Sequence, residues 1–202
     1  MKTDVIRREI AGHMGERRLP HVLGVEEECG RLAELFALSS QDRERLIIAA
    51  LLHDITKYYS EEEHLRFLEG KGVFLTDDSR RCVKTLHALS GAYRARELYP
   101  DAVDEEVFTA IRYHTTGRAG MGLLEKLLYL ADYIEPTRTF EDCVELRNYF
   151  YDRLEKGLPK EQVLNEALLL SLDMTLADLT KQNKPIHVDT LEAKADLVKT
   201  CR

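Results

Sequence analysis

Apolar residues return every three or four positions along most of the chain, while alternating runs bounded by turn residues are scarce, so the pattern predicts an all-α fold. The periodicity places helices near residues 3–15, 20–38, 41–56, 61–69, 79–98, 104–115, 121–134, 140–155, 160–181 and 189–200. Punctuation agrees with several of these ends. Ser39 stands three before Asp42 and Ser60 three before Glu63, as in capping boxes, and Pro159 suits a first turn. Gly70 and Gly72 follow the fourth helix, Gly117 follows the one ending at His114, and Pro136 stops the one containing Asp132.

Two segments depart from the amphipathic rule. Leu46-Ile47-Ile48-Ala49-Ala50-Leu51-Leu52 is apolar on every side, which predicts a buried helix running directly into His53-Asp54. Leu123 to Ile134 is nearly as apolar, yet carries a lone Asp132. A buried unpaired charge costs several kcal/mol or more, so Asp132 must be protonated, salt-bridged or metal-bound. Without a metal, Asp132 would pair with Lys126 or Arg138, and Asp54 with Lys57.

Three more histidines join these carboxylates. His87 lies one turn before Gly91, His114 precedes Thr115-Thr116-Gly117, and His21 follows Arg17-Arg18-Leu19-Pro20 in the first turn of a helix. Small flanking residues let a ligand approach the backbone. Imidazole and carboxylate donors without thiolate suit iron, manganese, zinc or magnesium. Neighbours on a helix diverge by about 100°, so His53 and Asp54 would clasp a metal lying between their two directions. Such a centre acidifies water and screens phosphate oxygens, which is the chemistry of phosphate ester or anhydride hydrolysis.

Composition narrows the ligand. The 202 residues, 44% hydrophobic, are enough for one core, and a single domain over residues 1–202 is expected. The formal charge of −7 argues against polymeric nucleic acid and leaves room for a small phosphorylated ligand. No stretch predicts a membrane span or a secretory signal, so a cytoplasmic protein is expected. Cys29, Cys82, Cys143 and Cys201 form no Cys-x-x-Cys pair and read as free thiols. His13 and His64 read as surface residues, and His187 stays open. Tyr149-Phe150-Tyr151 and Leu168-Leu169-Leu170 read as core or as half of a dimer contact, so a homodimer stays an open alternative.

The ordered series His21, His53-Asp54, His87, His114 and Asp132 resembles the HD-domain phosphohydrolase superfamily. Within it, the runs Leu51 to Lys57, Tyr113 to Gly117, Leu130 to Pro136 and Pro185-Ile186-His187 look like the bacterial YqeK family, over nearly the whole chain. The resemblance implies symmetrical cleavage of diadenosine tetraphosphate to two ADP by a metal-activated hydroxide, with one or two iron ions and manganese, zinc or magnesium as alternatives. Carried over residue by residue, it implies that His21, His53, Asp54 and Asp132 hold metal, with His87 and His114 facing a second metal or the phosphates. His53, Asp54, His87 and His114 would be catalytic. Arg18, His21, Lys57, His87, His114, Thr115 and Arg138 would meet the substrate, and Thr175 to Thr180 would line its nucleoside end. The rival functions are a nucleotide or deoxynucleotide phosphatase of the same superfamily and a nucleotide-sensing module without turnover.

Overall fold

Every regular element of the computed structural model, which describes residues 2–15 and 17–201, is helical. The order is α1 (Lys2–His13), α2 (Leu19–Leu35), α3 (Ser40–Leu52), α4 (Glu61–Gly70), α5 (Asp77–Arg81), a 3-10 turn (Val83–Thr85), α6 (Leu86–Leu98), α7 (Glu105–Tyr113), α8 (Leu123–Ile134), α9 (Glu141–Glu155), α10 (Lys160–Lys181) and α11 (Val188–Thr200). Among the described residues no helix is long and apolar enough to cross a membrane.

α3 is the hub. It packs against α1, α2, α6, α7 and α8, which is why Leu46, Ile48, Ala49, Ala50, Leu51 and Leu52 can all be apolar and buried. One cluster of buried side chains runs from Ile6 in α1 through Leu51, Leu127 and Phe150 to Leu197 in α11. The small Ala49 and Ala50 let neighbouring helices come close to α3, so whatever leaves its end is placed in the middle of the bundle.

The caps read from sequence are present. Ser39 accepts from the Asp42 amide at 3.1 Å. Ser60 and Glu63 form a reciprocal capping box, with the Ser60 amide donating to Glu63 at 2.6 Å and the Glu63 amide to Ser60 Oγ at 3.3 Å. Gly117 takes φ +65°, where an added Cβ would also sit 3.0 Å from Ala193, so the turn after His114 is closed to larger residues.

Three expectations need correction. The helix expected over 41–56 stops at Leu52, and His53 and Asp54 lie in the turns that follow, with His53 Nε2 3.3 Å from Asp54 Oδ2. The helix expected over 79–98 is broken into α5, the 3-10 turn and α6. No glycine or proline announces that break; Thr76 caps α5 through the Ser79 amide, and Cys82 turns the chain with its carbonyl accepting from Thr85 Oγ1 at 2.8 Å. His64, expected on the surface, is buried, with Nδ1 2.8 Å from Ser90 Oγ. Ser60, four residues before it, caps α4. His13 is exposed, as expected.

Candidate active site

Five elements deliver side chains to one point: the start of α2 (His21), the turn after α3 (His53 and Asp54), the start of α6 (His87), the end of α7 (His114) and the last turn of α8 (Asp132). His53, Asp54, His87 and His114 are buried.

The imidazoles share one device. His53 Nδ1 donates to the Ala50 carbonyl at 2.7 Å, His87 Nδ1 to the Lys84 carbonyl at 2.8 Å, and His114 Nδ1 to the Ile111 carbonyl at 2.7 Å. Each carbonyl lies three residues back on the same turn and can only accept, so each Nδ1 carries the proton and each Nε2 presents a lone pair inward. His21 reaches the same state through a carboxylate, with its Nδ1 3.1 Å from Glu135 Oε1. Glu135 is itself fully buried and held by the Thr137 amide at 2.7 Å and the Thr137 hydroxyl at 2.6 Å.

Asp54 is the centre of the array. Its Oδ2 lies 3.3 Å from His53 Nε2 and 3.8 Å from His21 Nε2, while Oδ1 lies 3.3 Å from His87 Nε2 and 3.7 Å from His114 Nε2. Asp132 Oδ1 stands 3.0 Å from His21 Nε2 and 3.7 Å from His53 Nε2. His21 Nε2, His53 Nε2 and Asp54 Oδ1 are buried atoms without a hydrogen-bond partner among the described residues. Lone pairs converging on carboxylate oxygens at these distances call for positive charge. Three groupings, His21/His53/Asp54, His53/His114/Asp132 and Asp54/His87/His114, offer donor atoms within 4.8 Å of one another. This donor set fits a divalent cation.

Cations ring the array. The Arg18 guanidinium pairs with Asp54 Oδ2. Lys57 Nζ lies 2.9 Å from His87 Nε2 and 3.5 Å from Asp54 Oδ1, and Arg138 pairs with Asp132 at 2.7 Å. Thr115 Oγ1 is 3.2 Å from His87 Nε2. Lys126 turns away to Asn165 at 2.8 Å, so Arg138 is the partner of Asp132. Protonation follows from these neighbours. Burial raises the pKa of Asp54, but the neighbouring His53, His114 and Lys57 together hold it well below the usual carboxylate range. Asp132, raised by burial, is pulled well below by Arg138, His21 and His53. Burial, Lys57 and His114 keep His87 well below an ordinary histidine, and burial also lowers His114. His53 moves up because Asp54 and Asp132 outweigh its burial.

The structure thus brings together ten of the residues singled out from sequence: Arg18, His21, His53, Asp54, Lys57, His87, His114, Thr115, Asp132 and Arg138. Beside them a cavity of about 370 Å³ is lined by Thr115, Thr175, Leu179, Pro185, Lys184 and His187 among others. Thr175 faces it, whereas Thr180 is exposed and outside its lining. His187, left open by the sequence, caps α11 through the Asp189 amide and meets Ser79 Oγ at 3.1 Å.

A model of the HD domain matches residues 18–137, which contain the whole array. The chain belongs to the HD-domain family. Among the similar proteins, one of Halalkalibacterium halodurans named symmetrical bis(5'-nucleosyl)-tetraphosphatase is 38% identical over 179 residues, covering 89% of this chain and 88% of its own. A Bacillus subtilis protein of the same name is 38% identical over 177 residues, covering 87% and 86%. A crystal structure described as a predicted HD superfamily hydrolase involved in NAD metabolism, from Clostridium acetobutylicum, superposes with a TM-score of 0.83 at 34% identity, covering 98% of this chain and 97% of that one.

Around the centre of this HD domain are two supports that the residue pattern concealed. Gly24 lies one helical turn beyond His21, and a Cβ there would stand 2.3 Å from Glu135 Oε2, so only glycine leaves room for the carboxylate that orients His21. Arg147 on α9 donates to the carbonyls of Ile134 and Glu135, each at 2.6 Å, and of Arg138 at 2.9 Å, fixing the turn that carries both Glu135 and Arg138. The one available signal was the Glu135-Pro136 step, which forces Glu135 out of the helix.

Proposed function

We propose that this HD domain, residues 1–202 acting as one unit in the cytoplasm, hydrolyses diadenosine tetraphosphate at its central anhydride to give two ADP, with iron as its resident cation. The observation that carries the reading is the ring of Arg18, Lys57 and Arg138 around a buried His/Asp array. Relatives at 38% identity over most of the chain that bear the name symmetrical bis(5'-nucleosyl)-tetraphosphatase support the substrate.

His21, His53, Asp54 and Asp132 would hold the cation, and His87 and His114 face the second oxygen of Asp54 toward the phosphates or a second ion. When bound, the cation supplies Lewis-acid chemistry, stabilising charge on a phosphoryl group and making water a competent nucleophile near neutral pH. The oxygen of water bonds to one central phosphorus, the P–O bond to the bridging oxygen breaks, and that oxygen leaves on the second ADP.

The chain's own groups supply orientation and charge. Lys57 and Thr115 both point donors at the His87 lone pair, and both are in reach of phosphate oxygens placed there. Arg138 Nε is a buried donor without a partner among the described residues, free for an anionic oxygen. His87, kept neutral by burial and Lys57, accepts hydrogen bonds at Nε2 rather than adding a positive charge to the site. Arg18 and Arg138 offset the charge that develops on the departing diphosphate.

The test is to purify the protein under anaerobic, chelator-free conditions, quantify its metals and incubate it with diadenosine tetraphosphate. The expected result is bound iron and ADP as sole product. ATP plus AMP would move the cleavage site, free phosphate would indicate a nucleotide phosphatase, and a metallated protein without turnover would indicate a sensing module; each overturns the reading.

A further inference from the structure

A substrate cut at its midpoint must leave the reacting centre along two paths, one for each nucleoside diphosphate. Of two cavities beside the array, one is lined by Thr115, whose Oγ1 lies 3.2 Å from His87 Nε2, and the other by His87 itself. The first, with Thr115, Thr175, Leu179 and Pro185, is walled largely by apolar groups and suits a nucleoside. The second, about 460 Å³, is lined by Lys57, Tyr59, His64, Val83, Lys84 and His87. Val83 and Lys84 line both, so the 3-10 turn that interrupts α5 and α6 is the partition between them.

We propose that this second cavity holds the other nucleoside diphosphate arm of the substrate, an inference that rests on the function proposed above. The two paths diverge at one atom: Thr115 Oγ1 approaches His87 Nε2 from the first cavity at 3.2 Å, and Lys57 Nζ approaches it from the second at 2.9 Å. Lys57 and Lys84 give the second cavity two ammonium groups, and no carboxylate is among its lining residues, so its chemistry is that of a diphosphate site.

Tyr59 supplies the surface for a base. Its ring rests on His64 at 5.5 Å between centroids and on Phe67 at 6.3 Å. His64 is fixed by Ser90 at 2.8 Å, Ser90 by Thr56 at 2.8 Å, and Thr56 donates to the His87 carbonyl at 3.0 Å. This buried relay, which includes the histidine the sequence placed on the surface, ties the position of the Tyr59 ring to the reacting centre. A ring offers a face to any base, so this arm tolerates a change of nucleobase more readily than the arm enclosed by Thr175 and Leu179.

The experiment uses the full metal-loaded chain and compares wild type with Tyr59→Ala, Tyr59→Leu and Tyr59→Phe. ADP stoichiometry is read by equilibrium dialysis, and KM and kcat for diadenosine tetraphosphate by chromatography. Wild type binds two ADP per chain. Tyr59→Ala and Tyr59→Leu bind one and raise KM roughly tenfold, about the weight of one base–aromatic stack, while Tyr59→Phe behaves as wild type. Leucine keeps apolar bulk against His64 and Phe67, so a folding defect confined to the alanine variant does not obscure the result. A single ADP per wild-type chain, or an unchanged KM in Tyr59→Leu, overturns the second-arm site while leaving the hydrolase intact. Wild type that yields no ADP overturns the hydrolase itself, and this inference with it.

Discussion

Gly24→Ala is the sharpest probe of how this centre is held. In a helix interior, alanine is favoured over glycine by about 1 kcal/mol, so propensity alone predicts a more stable protein. The structure predicts the reverse. The new Cβ would stand 2.3 Å from Glu135 Oε2 and 3.0 Å from its Cδ, and the carboxylate, fully buried, has to move. In moving it abandons the Thr137 amide and hydroxyl, at 2.7 and 2.6 Å, and His21 Nδ1 at 3.1 Å. Hydrogen bonds to a charged group are worth about 1.5–3 kcal/mol each, so losing even one outweighs the propensity gain. With His21 as one of the proposed ligands, loss of its orienting partner should lower metal affinity by about 10- to 100-fold, or about 1.4–2.8 kcal/mol. Gly30→Ala in the same helix is the control, since a Cβ there meets nothing within 4 Å. Competition with a chromophoric chelator and denaturant unfolding of the metal-free chain give both quantities. Gly24→Ala should lose metal affinity and stability, and Gly30→Ala should gain stability with affinity unchanged. If Gly24→Ala gains stability and keeps wild-type affinity, the argument that Glu135 orients His21 is wrong.

Other outcomes follow from the same geometry. Asp54→Asn removes the carboxylate that faces four imidazole nitrogens, and should abolish stoichiometric metal binding and turnover, read by elemental analysis and ADP release. Phe150→Ala empties a fully buried site edge-on to Tyr151 at 5.1 Å and should cost about 3–5 kcal/mol in unfolding free energy, with metal content preserved. His64 is lowered by burial, against the pull of Glu63 and with the help of Lys57. A group depressed in the folded state contributes stability that is present above its unfolded value, about 6.5, and lost as pH falls toward the folded value. Unfolding of His64→Gln should therefore depend less on pH than wild type as pH falls below about 6.5; an equal or steeper loss in the variant would exclude His64 as a contributor.

The sequence by itself determined the helical class, most helix ends and the membership of the buried His/Asp cluster. Local physics suffices for these. Periodicity reports which face of a helix is buried, Ser60 and Glu63 cap within one turn, and a charge such as Asp132 in an apolar helix shows itself as an anomaly wherever the helix packs. The tertiary structure decided how that set is arranged. That Asp54 turns one oxygen to His21 and His53 and the other to His87 and His114 depends on five elements converging, and no local pattern encodes their mutual orientation. The break at Cys82–Thr85, the inward turn of His64 and the support of His21 by Glu135 through the space left at Gly24 arise the same way. Each is set by a neighbour 26 or more positions away in sequence or by packing between helices, where contact is made by the fold and leaves little trace in residue spacing.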